Sequence, residues 1–290
     1  MVYNISICMQ ENFFEIINDE TKAYILGFLY ADGCFTSKNN RINVNLSVKD
    51  SDLLKHMSIV LLGEDKTKID TKQYTSYIKN RPIKSKGFIR LQIYNKKMVN
   101  DLIKTGNESP KSLTLTFPLN LDSSLYNHFI RGYFDGDGCL SIKSNSKNNV
   151  KRATIAILSS FSFCDKLKDI IENLLNITTN IIKKGKIHVL EINGNKQVEI
   201  FTDWMYKDCT IKLERKYEKY LELKKLRIKA TKYYSESSSK YKNITYDKTR
   251  NKWIACCRLP LEKRTKHIGR FETEEQAYVA QQEYLRNISI

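Results

Sequence analysis

Two aspartates occupy equivalent positions in a segment that the chain repeats. Residues 24–35 read YILGFLYADGCF and residues 129–140 read FIRGYFDGDGCL, so Asp32 and Asp137 recur at a constant offset of 105 residues. Carboxylate oxygens suit Mg²⁺ or Mn²⁺, and such ions activate water and stabilise the leaving oxygen of a phosphodiester. If the two carboxylates meet, they predict metal-dependent phosphodiester hydrolysis.

Each repeated segment predicts a helix that ends at its Asp-Gly pair. Gly33 and Gly138 suit the left-handed position just past a helix end. Small residues spaced four apart lie on one face of each helix, where they let two backbones approach closely. These small residues are Gly27 and Ala31 in the first helix and Gly132 and Gly136 in the second. The two helices are therefore expected to pack against each other at the interface of two halves.

Helix packing of this kind would place Asp32 and Asp137 side by side. Each would lie at a C-terminal helix end, where the helix dipole already disfavours negative charge. A bound divalent cation, Mg²⁺ or Mn²⁺, would relieve the repulsion. A single Asp-Gly pair is more simply explained as a helix-terminating turn. Two matching copies, each with a small-residue face, favour the paired site.

The elements predicted after each segment follow the same order. They comprise strands at 41–48 and 152–158, amphipathic helices at 52–62 and 163–175, β-rich stretches at 88–94 and 181–192, and helices at 97–104 and 196–206. A repeat of this length indicates a duplicated domain, because the units of solenoids are only ~20–50 residues long. The fold class is α+β, with pseudo-symmetric halves at residues 1–118 and 119–232.

The pattern changes beyond the second half. A basic terminal helix is predicted up to residue 232, followed by a flexible linker at 233–240 that contains the polar run SESSSK. Residues 241–290 predict a small module with strands at 243–246, 252–259 and 266–271. A helix at 274–286 closes the module, with Thr273 as its N-cap.

The charge balance predicts a polyanionic partner. Lys and Arg number 49 against 32 Asp and Glu in 290 residues, a formal net charge of +17. Nucleic acid is the leading partner and an anionic membrane surface the second, because a basic surface gains by releasing counterions from phosphate. With no apolar run near the ~20 residues of a spanning helix and no secretory signal pattern, the sequence predicts a soluble intracellular protein.

The cysteines and histidines predict no metal or disulfide framework of their own. The seven cysteines contain no CxxC pair, and the four histidines show no metal-ligand spacing. Reduced, buried thiols are therefore expected.

The repeated segments resemble the two signature motifs of the LAGLIDADG homing endonucleases, in the single-chain form that carries both copies. The resemblance implies two αββαββα halves with the signature helices at their interface and the sheets forming a saddle over the DNA major groove. It assigns metal binding and catalysis to Asp32 and Asp137, with Gly33 and Gly138 at the same metal site. The earlier acid of the signature is kept as Asp135 in the second copy, whereas the first copy has Tyr30.

The same resemblance implies basic residues that assist the metal site after the last helix of each half. The candidates are Lys111 in the first half and Lys212 or Arg215 in the second, as phosphate-contacting or water-positioning groups. An ordinary solvated or phosphate-contacting role is the alternative for each, because the whole chain is basic.

The C-terminal module is similar to the AP2 DNA-binding domain, a three-stranded sheet laid into the major groove. The resemblance implies DNA contacts from Lys242, Arg250, Trp253, Arg258, Arg264 and Lys266. Strand alternation places Trp253 and Arg258 on opposite faces, so both can face DNA only if the strand is distorted. A core position is the alternative for Trp253.

The function these features predict is site-specific cleavage of double-stranded DNA at a long asymmetric target, by a monomer that uses Mg²⁺ or Mn²⁺. Two other hypotheses stay open. One is a non-enzymatic DNA-binding regulator, and the other is a maturase that binds intron RNA. Loss of cleavage on removal of either aspartate would separate the nuclease from both.

Overall fold

The structure of the chain is a computed structural model. It describes residues 10–70, 75–78, 81–84, 87–144, 151–237, 239–241, 243–258 and 265–288. In that part of the chain, no helix combines the length and the apolar character needed to cross a membrane.

The described residues contain eight α-helices and thirteen strands, together with three 3₁₀ helices of three residues each. The helices are α1 (Glu20–Ala31), α2 (Ser51–Leu62), α3 (Lys96–Lys104), α4 (Tyr126–Asp137), α5 (Phe161–Leu175), α6 (Asn195–Tyr206), α7 (Glu214–Ser237) and α8 (Glu274–Ile288). The strands are β1 (Gly33–Thr36), β2 (Arg41–Ser47), β3 (Lys68–Asp70), β4 (Thr75–Ile78), β5 (Arg81–Lys84), β6 (Phe88–Tyr94), β7 (Gly138–Ser144), β8 (Lys151–Ser159), β9 (Asn180–Lys184), β10 (Ile187–Asn193), β11 (Ile244–Asp247), β12 (Lys252–Arg258) and β13 (Thr265–Phe271).

Two antiparallel sheets of four strands define the two halves. Their strand orders are β1-β2-β6-β3 and β7-β8-β10-β9, so the second sheet repeats the topology of the first. Helices α2 and α3 pack on the first sheet, and α5 and α6 pack on the second. Strict alternation produces this arrangement, because β2 and β6 each bury every second residue against the helices. The predicted α+β fold with repeated halves is confirmed; the first half additionally contains the hairpin β4-β5.

Helices α1 and α4 pack together along the small-residue faces. A Cβ atom built on Gly27 would lie 2.0 Å from the carbonyl oxygen of Phe129, and one on Gly132 would lie 2.0 Å from that of Tyr24. Gly136 meets Ala31 in the same way, since its Cβ would lie 2.4 Å from the alanine Cβ. The two backbones are thus in direct contact, as the spacing predicted.

Gly33 and Gly138 do not adopt the left-handed conformation that the sequence predicted. Gly138 has φ −86° and ψ 158°, and each glycine is the first residue of a strand. Space explains the residue type instead. A Cβ on Gly138 would lie 2.1 Å from the Phe134 ring, and one on Gly33 would lie 2.6 Å from the Leu29 carbonyl oxygen.

A buried arginine links the two halves beside this interface. Arg131 of α4 is fully buried, and its guanidinium donates to Glu20 at the start of α1 over 2.7 Å. The same side chain donates to the carbonyl oxygens of Met205 at 2.7 Å and Ile211 at 3.0 Å. Its charge is therefore paired and its donors are used, which a buried guanidinium requires.

The chain divides into two compact units, residues 1–224 and 225–290, so the boundary falls within α7 rather than at the predicted 232/233. The prediction of a flexible linker at 233–240 is wrong for its first part, because α7 continues to Ser237. In the C-terminal unit, β11, β12 and β13 form an antiparallel sheet, and α8 packs on β12 and β13 around buried Ala255 and Ala277.

The cysteines of the described residues are all free thiols, but not all of them are buried. Cys164 and Cys257 are buried as predicted. Cys34 and Cys139 are exposed, because each lies on the outer face of the strand that follows its aspartate.

Candidate active site

The two aspartates come together at the C-terminal ends of the packed helices. Asp32 caps α1, and its N–H donates to the Phe28 carbonyl at 2.9 Å, while Asp137 is the last residue of α4. The Asp32 carboxylate lies against the end of the partner helix, since its Oδ2 is 3.2 Å from where a Cβ of Gly136 would be. Both aspartate side chains are accessible to solvent.

The pKa values of both carboxyls are raised. Partial desolvation is the main cause for Asp32, and the charge of Asp137 adds to it, so the pKa of Asp32 rises to about 6. Desolvation also raises the pKa of Asp137, although the ammonium groups of Lys111 and Lys216 oppose the shift. Because both carboxyls are costly to ionise on their own, a cation bound between them would stabilise their ionised forms.

Two buried lysines flank the aspartates at equivalent positions of the repeat. Lys111 Nζ donates to the Gly33 carbonyl, and Lys216 Nζ donates to the Gly138 carbonyl at 2.7 Å. Lys216 also donates to the Phe134 carbonyl at 2.5 Å. Burial lowers the pKa of Lys111, and it lowers the pKa of Lys216 to about 8. Each ammonium is therefore held at a fixed point beside the carboxylates.

Lys216 takes the place in the second half that the sequence assigned to Lys212 or Arg215. Lys212 Nζ instead lies 4.5 Å from the centroid of the Tyr217 ring. The Arg215 Nε donates to Asp50 at 2.9 Å, although its charge still reaches Asp32 and opposes the rise in the pKa of that carboxyl. The signal that identifies Lys216 was present in the sequence, because it follows Lys111 at the same offset of 105 residues as the aspartates.

The oxygen atoms of two carboxylates fit a hard cation such as Mg²⁺ or Mn²⁺ better than zinc. No group of three His, Cys, Asp or Glu side chains surrounds a common point within the described ranges. The carbonyls of Gly33 and Gly138, assigned to the metal site from the sequence, already accept bonds from lysine ammonium groups. A neighbouring positive charge disfavours a second cation there, which leaves the carboxylates of Asp32 and Asp137 as the candidate ligands.

Asp135, the earlier acid of the second motif, has a structural role. It is buried, and its oxygens accept bonds from the Tyr24 hydroxyl at 2.7 Å, the Tyr206 hydroxyl at 2.8 Å and the Leu213 N–H at 2.7 Å. Its counterpart Tyr30 bonds through its hydroxyl to the Thr105 carbonyl at 3.1 Å. The departure of the first motif from the signature therefore changes an internal contact and leaves Asp32 and Asp137 unaltered.

The predicted contacts of the C-terminal unit are only partly described. Lys242 and Arg264 lie outside the described residues, and so does the side chain of Arg258. Arg250 is exposed and pairs with Asp247 at 3.2 Å, and Lys266 is exposed. Trp253 is half-buried and packs against the small core around Ala255 and Ala277, in agreement with the core alternative. The register of β12 with β13 shifts between Ala255 and Cys256, so strict alternation does not relate the faces of Trp253 and Arg258.

Two packed helices that each end at an aspartate, together with two four-stranded antiparallel sheets of the same topology, define a known class of fold. The family of the LAGLIDADG-like domain matches this chain over residues 19–105 and 124–204. The chain belongs to the LAGLIDADG-like domain family. Among curated proteins, no sequence matches it significantly.

The solved structures that match this chain include homing endonucleases and the DUF199/WhiA protein. Full-length DUF199/WhiA from Thermatoga maritima has 17% identity and a TM-score of 0.45, over 75% of this chain and 64% of that one. This chain thus spans less than two thirds of the WhiA chain. The homing endonuclease I-GzeII with its DNA target has 14% identity and a TM-score of 0.47, over 73% and 91% of the two chains. I-SmaMI, bound to uncleaved DNA with calcium ions, has 14% identity and a TM-score of 0.45, over 75% and 94%.

Proposed function

We propose that this protein is a divalent-metal-dependent endonuclease that cuts both strands of a long, asymmetric DNA site as a single chain. The observation that carries the proposal is the meeting of Asp32 and Asp137, with raised carboxyl pKa values, between two buried lysines. A net charge of +17 supports a polyphosphate substrate. Binding of DNA alone does not require two neighbouring carboxylates that repel each other, as those of Asp32 and Asp137 do.

Asp32 and Asp137 would hold the cation, which supplies an activated water and neutralises charge on the phosphate when bound. Lys111 and Lys216 place one ammonium each beside the pair, and their hydrogen bonds to backbone carbonyls fix the ammonium positions. Positive charges held in advance near a phosphodiester favour the more negative transition state. The near-twofold arrangement gives each DNA strand an aspartate and a lysine.

We also propose that the C-terminal unit adds contacts to one flank of the site, in the manner of an AP2-like domain. Its three-stranded sheet and single helix support this, as do exposed Lys266 and Arg270 on its last strand. A second DNA-binding unit on the same chain would raise the local concentration of the first.

Cleavage by single-aspartate variants tests the nuclease proposal. Cleavable duplexes are first selected from a randomised library with the full chain and Mg²⁺. Asp32→Asn and Asp137→Asn are each expected to lose double-strand cleavage while keeping DNA affinity, because the amide preserves shape and removes the charge. Asp52→Asn, an exposed carboxylate in the first turn of α2, is the matched control and should cut normally. Undiminished cutting by either active-site variant would end the proposal.

A further inference from the structure

The outer faces of both sheets begin at the aspartates. Strands β1 and β7 start at Gly33 and Gly138, directly after Asp32 and Asp137, and the inner faces are covered by helices. A duplex whose phosphodiester reaches the aspartates must therefore extend along the outer faces. The inference below rests on the proposed function in this respect, since it concerns the substrate of the same site.

Strand register makes the two outer faces comparable residue by residue. Gly33 lies opposite Val44 in the first sheet, and Gly138 lies opposite Ile157 in the second. The next position on each second strand is Asn45 or Leu158, so these two side chains are equivalent. Each belongs to a row of three across its sheet, at the end nearest the aspartates. The first row is Asn45, Arg90 and Lys68, and the second is Leu158, Val189 and Ile182.

The first row is polar and basic. Arg90 Nε donates to Asn45 Oδ1 at 3.0 Å, and the Arg90 guanidinium lies 5.1 Å from the Phe88 ring centroid. On the same face, Arg41 Nε and Asn43 Oδ1 are buried with no hydrogen-bond partner among the described residues. Side chains of these types read adenine and guanine edges through paired hydrogen bonds in the major groove.

The equivalent row of the second sheet is entirely apolar. Leu158 is 38% exposed and Ile182 is 42% exposed, and between them Val189 is 1% exposed although it faces outward. Leu158 also lines a cavity of about 210 Å³ together with Asp137 and Lys111. The exposed side chains of Leu158 and Ile182 therefore lie at the end of the sheet nearest the catalytic groups, where a bound substrate would cover them.

We propose that Leu158 and Ile182, the two exposed members of this row, read thymine C5-methyl groups in the second half-site, next to the scissile phosphates. This row has no side-chain hydrogen-bonding atom, and the methyl group of thymine is the apolar feature that the major groove displays. The first half-site is read at the equivalent position by hydrogen bonds from Asn45 and Arg90. The target is consequently asymmetric in its chemistry near the centre, with thymine on the side of the apolar row.

Replacement of thymine by deoxyuridine tests this proposal, because it removes only the methyl group. Duplexes selected by binding to the Asp137→Asn full chain are substituted one thymine at a time, and affinity is measured at fixed salt. Substitution at the inner positions of the second half-site is expected to weaken binding about four-fold for each contacted methyl. Equivalent substitutions in the first half-site should change affinity less than two-fold.

A matched pair of variants ties the effect to the row. Leu158→Asn introduces the residue of the first half and should abolish the sensitivity to deoxyuridine at the thymine that Leu158 contacts, whereas Leu158→Met should retain it. Both changes are at a partly exposed position on the outer face, and thermal unfolding of the full chain verifies that it stays folded. Equal sensitivity in the two half-sites, no sensitivity in the second, or no change on Leu158→Asn would each overturn the proposal.

The outcomes separate this inference from the proposed function. If binding is sensitive to deoxyuridine but the unmodified chain cleaves no DNA, the proposal that the row reads methyl groups is upheld and the nuclease proposal is refuted. Cleavage that depends on Asp32 and Asp137 but ignores thymine methyls would do the reverse.

Discussion

Removal of the Asp32 charge is expected to stabilise the folded protein while it destroys cleavage. The pKa of this carboxyl rises from 3.8 to about 6 on folding, so the folded state binds the proton more tightly than the unfolded chain. The ionised carboxylate therefore destabilises the fold at pH 7. This penalty is fully present above about pH 6 and vanishes as the pH falls towards 3.8.

The size of this effect follows from the shift. At ~1.4 kcal/mol per pKa unit, the shift corresponds to roughly 3 kcal/mol before solvent screening. Because the Asp32 side chain is accessible to water, screening reduces the expected gain of Asp32→Asn to about 1 kcal/mol at pH 7. Urea unfolding of the full chain at pH 7.0 and 4.5, without divalent cations, measures it. The difference between variant and unmodified chain should shrink at the lower pH.

Asp65→Asn is the contrasting control. Asp65 accepts bonds from the Thr67 N–H and hydroxyl, which lower the pKa of its carboxyl. Its ionised form stabilises the fold, so this variant should be no more stable than the unmodified chain at any pH. If Asp32→Asn is less stable than the unmodified chain at pH 7, or its gain is the same at both pH values, the argument that the paired carboxylates oppose folding is refuted.

Three further outcomes are expected. Single-turnover cleavage should fall above about pH 8, where Lys216 loses its proton, and a rate that stays constant up to pH 9.5 would exclude a role for that ammonium. Gly132→Ala should lower the free energy of unfolding by about 3 kcal/mol, because the new methyl group would clash with the Tyr24 carbonyl. The control Asn100→Ala, at an exposed position of α3, should leave the free energy of unfolding nearly unchanged. Lys266→Glu should weaken DNA binding and its salt dependence without moving the cleavage position; unchanged affinity would remove the C-terminal unit from the interface.

Local patterns predicted most of the element order. Strands such as β2 and β6 alternate so regularly that their bounds were expected within a residue or two, and the small residues at Gly27 and Gly132 predicted the helix contact. The hairpin β4-β5 was not foreseen. Its segment alternates weakly in sequence and carries several charged and polar residues, so no apolar periodicity predicts its strands.

The sequence pointed to both aspartates of the candidate site but to only one of its two buried lysines. Asp32 and Asp137 stand out because they repeat, and Lys111 was found by resemblance. Lys216 was missed because its neighbours Lys212 and Arg215 are equally basic in sequence. Burial distinguishes Lys216, and burial depends on how α7 packs against the end of α4. The residues of the outer faces become comparable only through strand register, which the sequence alone does not define.

The ion pair between Arg131 and Glu20 joins the two halves through residues that the repeat does not share. At the offset of 105 residues, Leu26 is the counterpart of Arg131 and Leu125 is the counterpart of Glu20. A gene conversion that overwrote the first half with the second would bury two guanidinium groups opposite leucines, and the reverse event would leave two glutamates with no arginine. Identical halves would therefore lose this ion pair, whichever half was copied, so the contact that joins the halves depends on their being different.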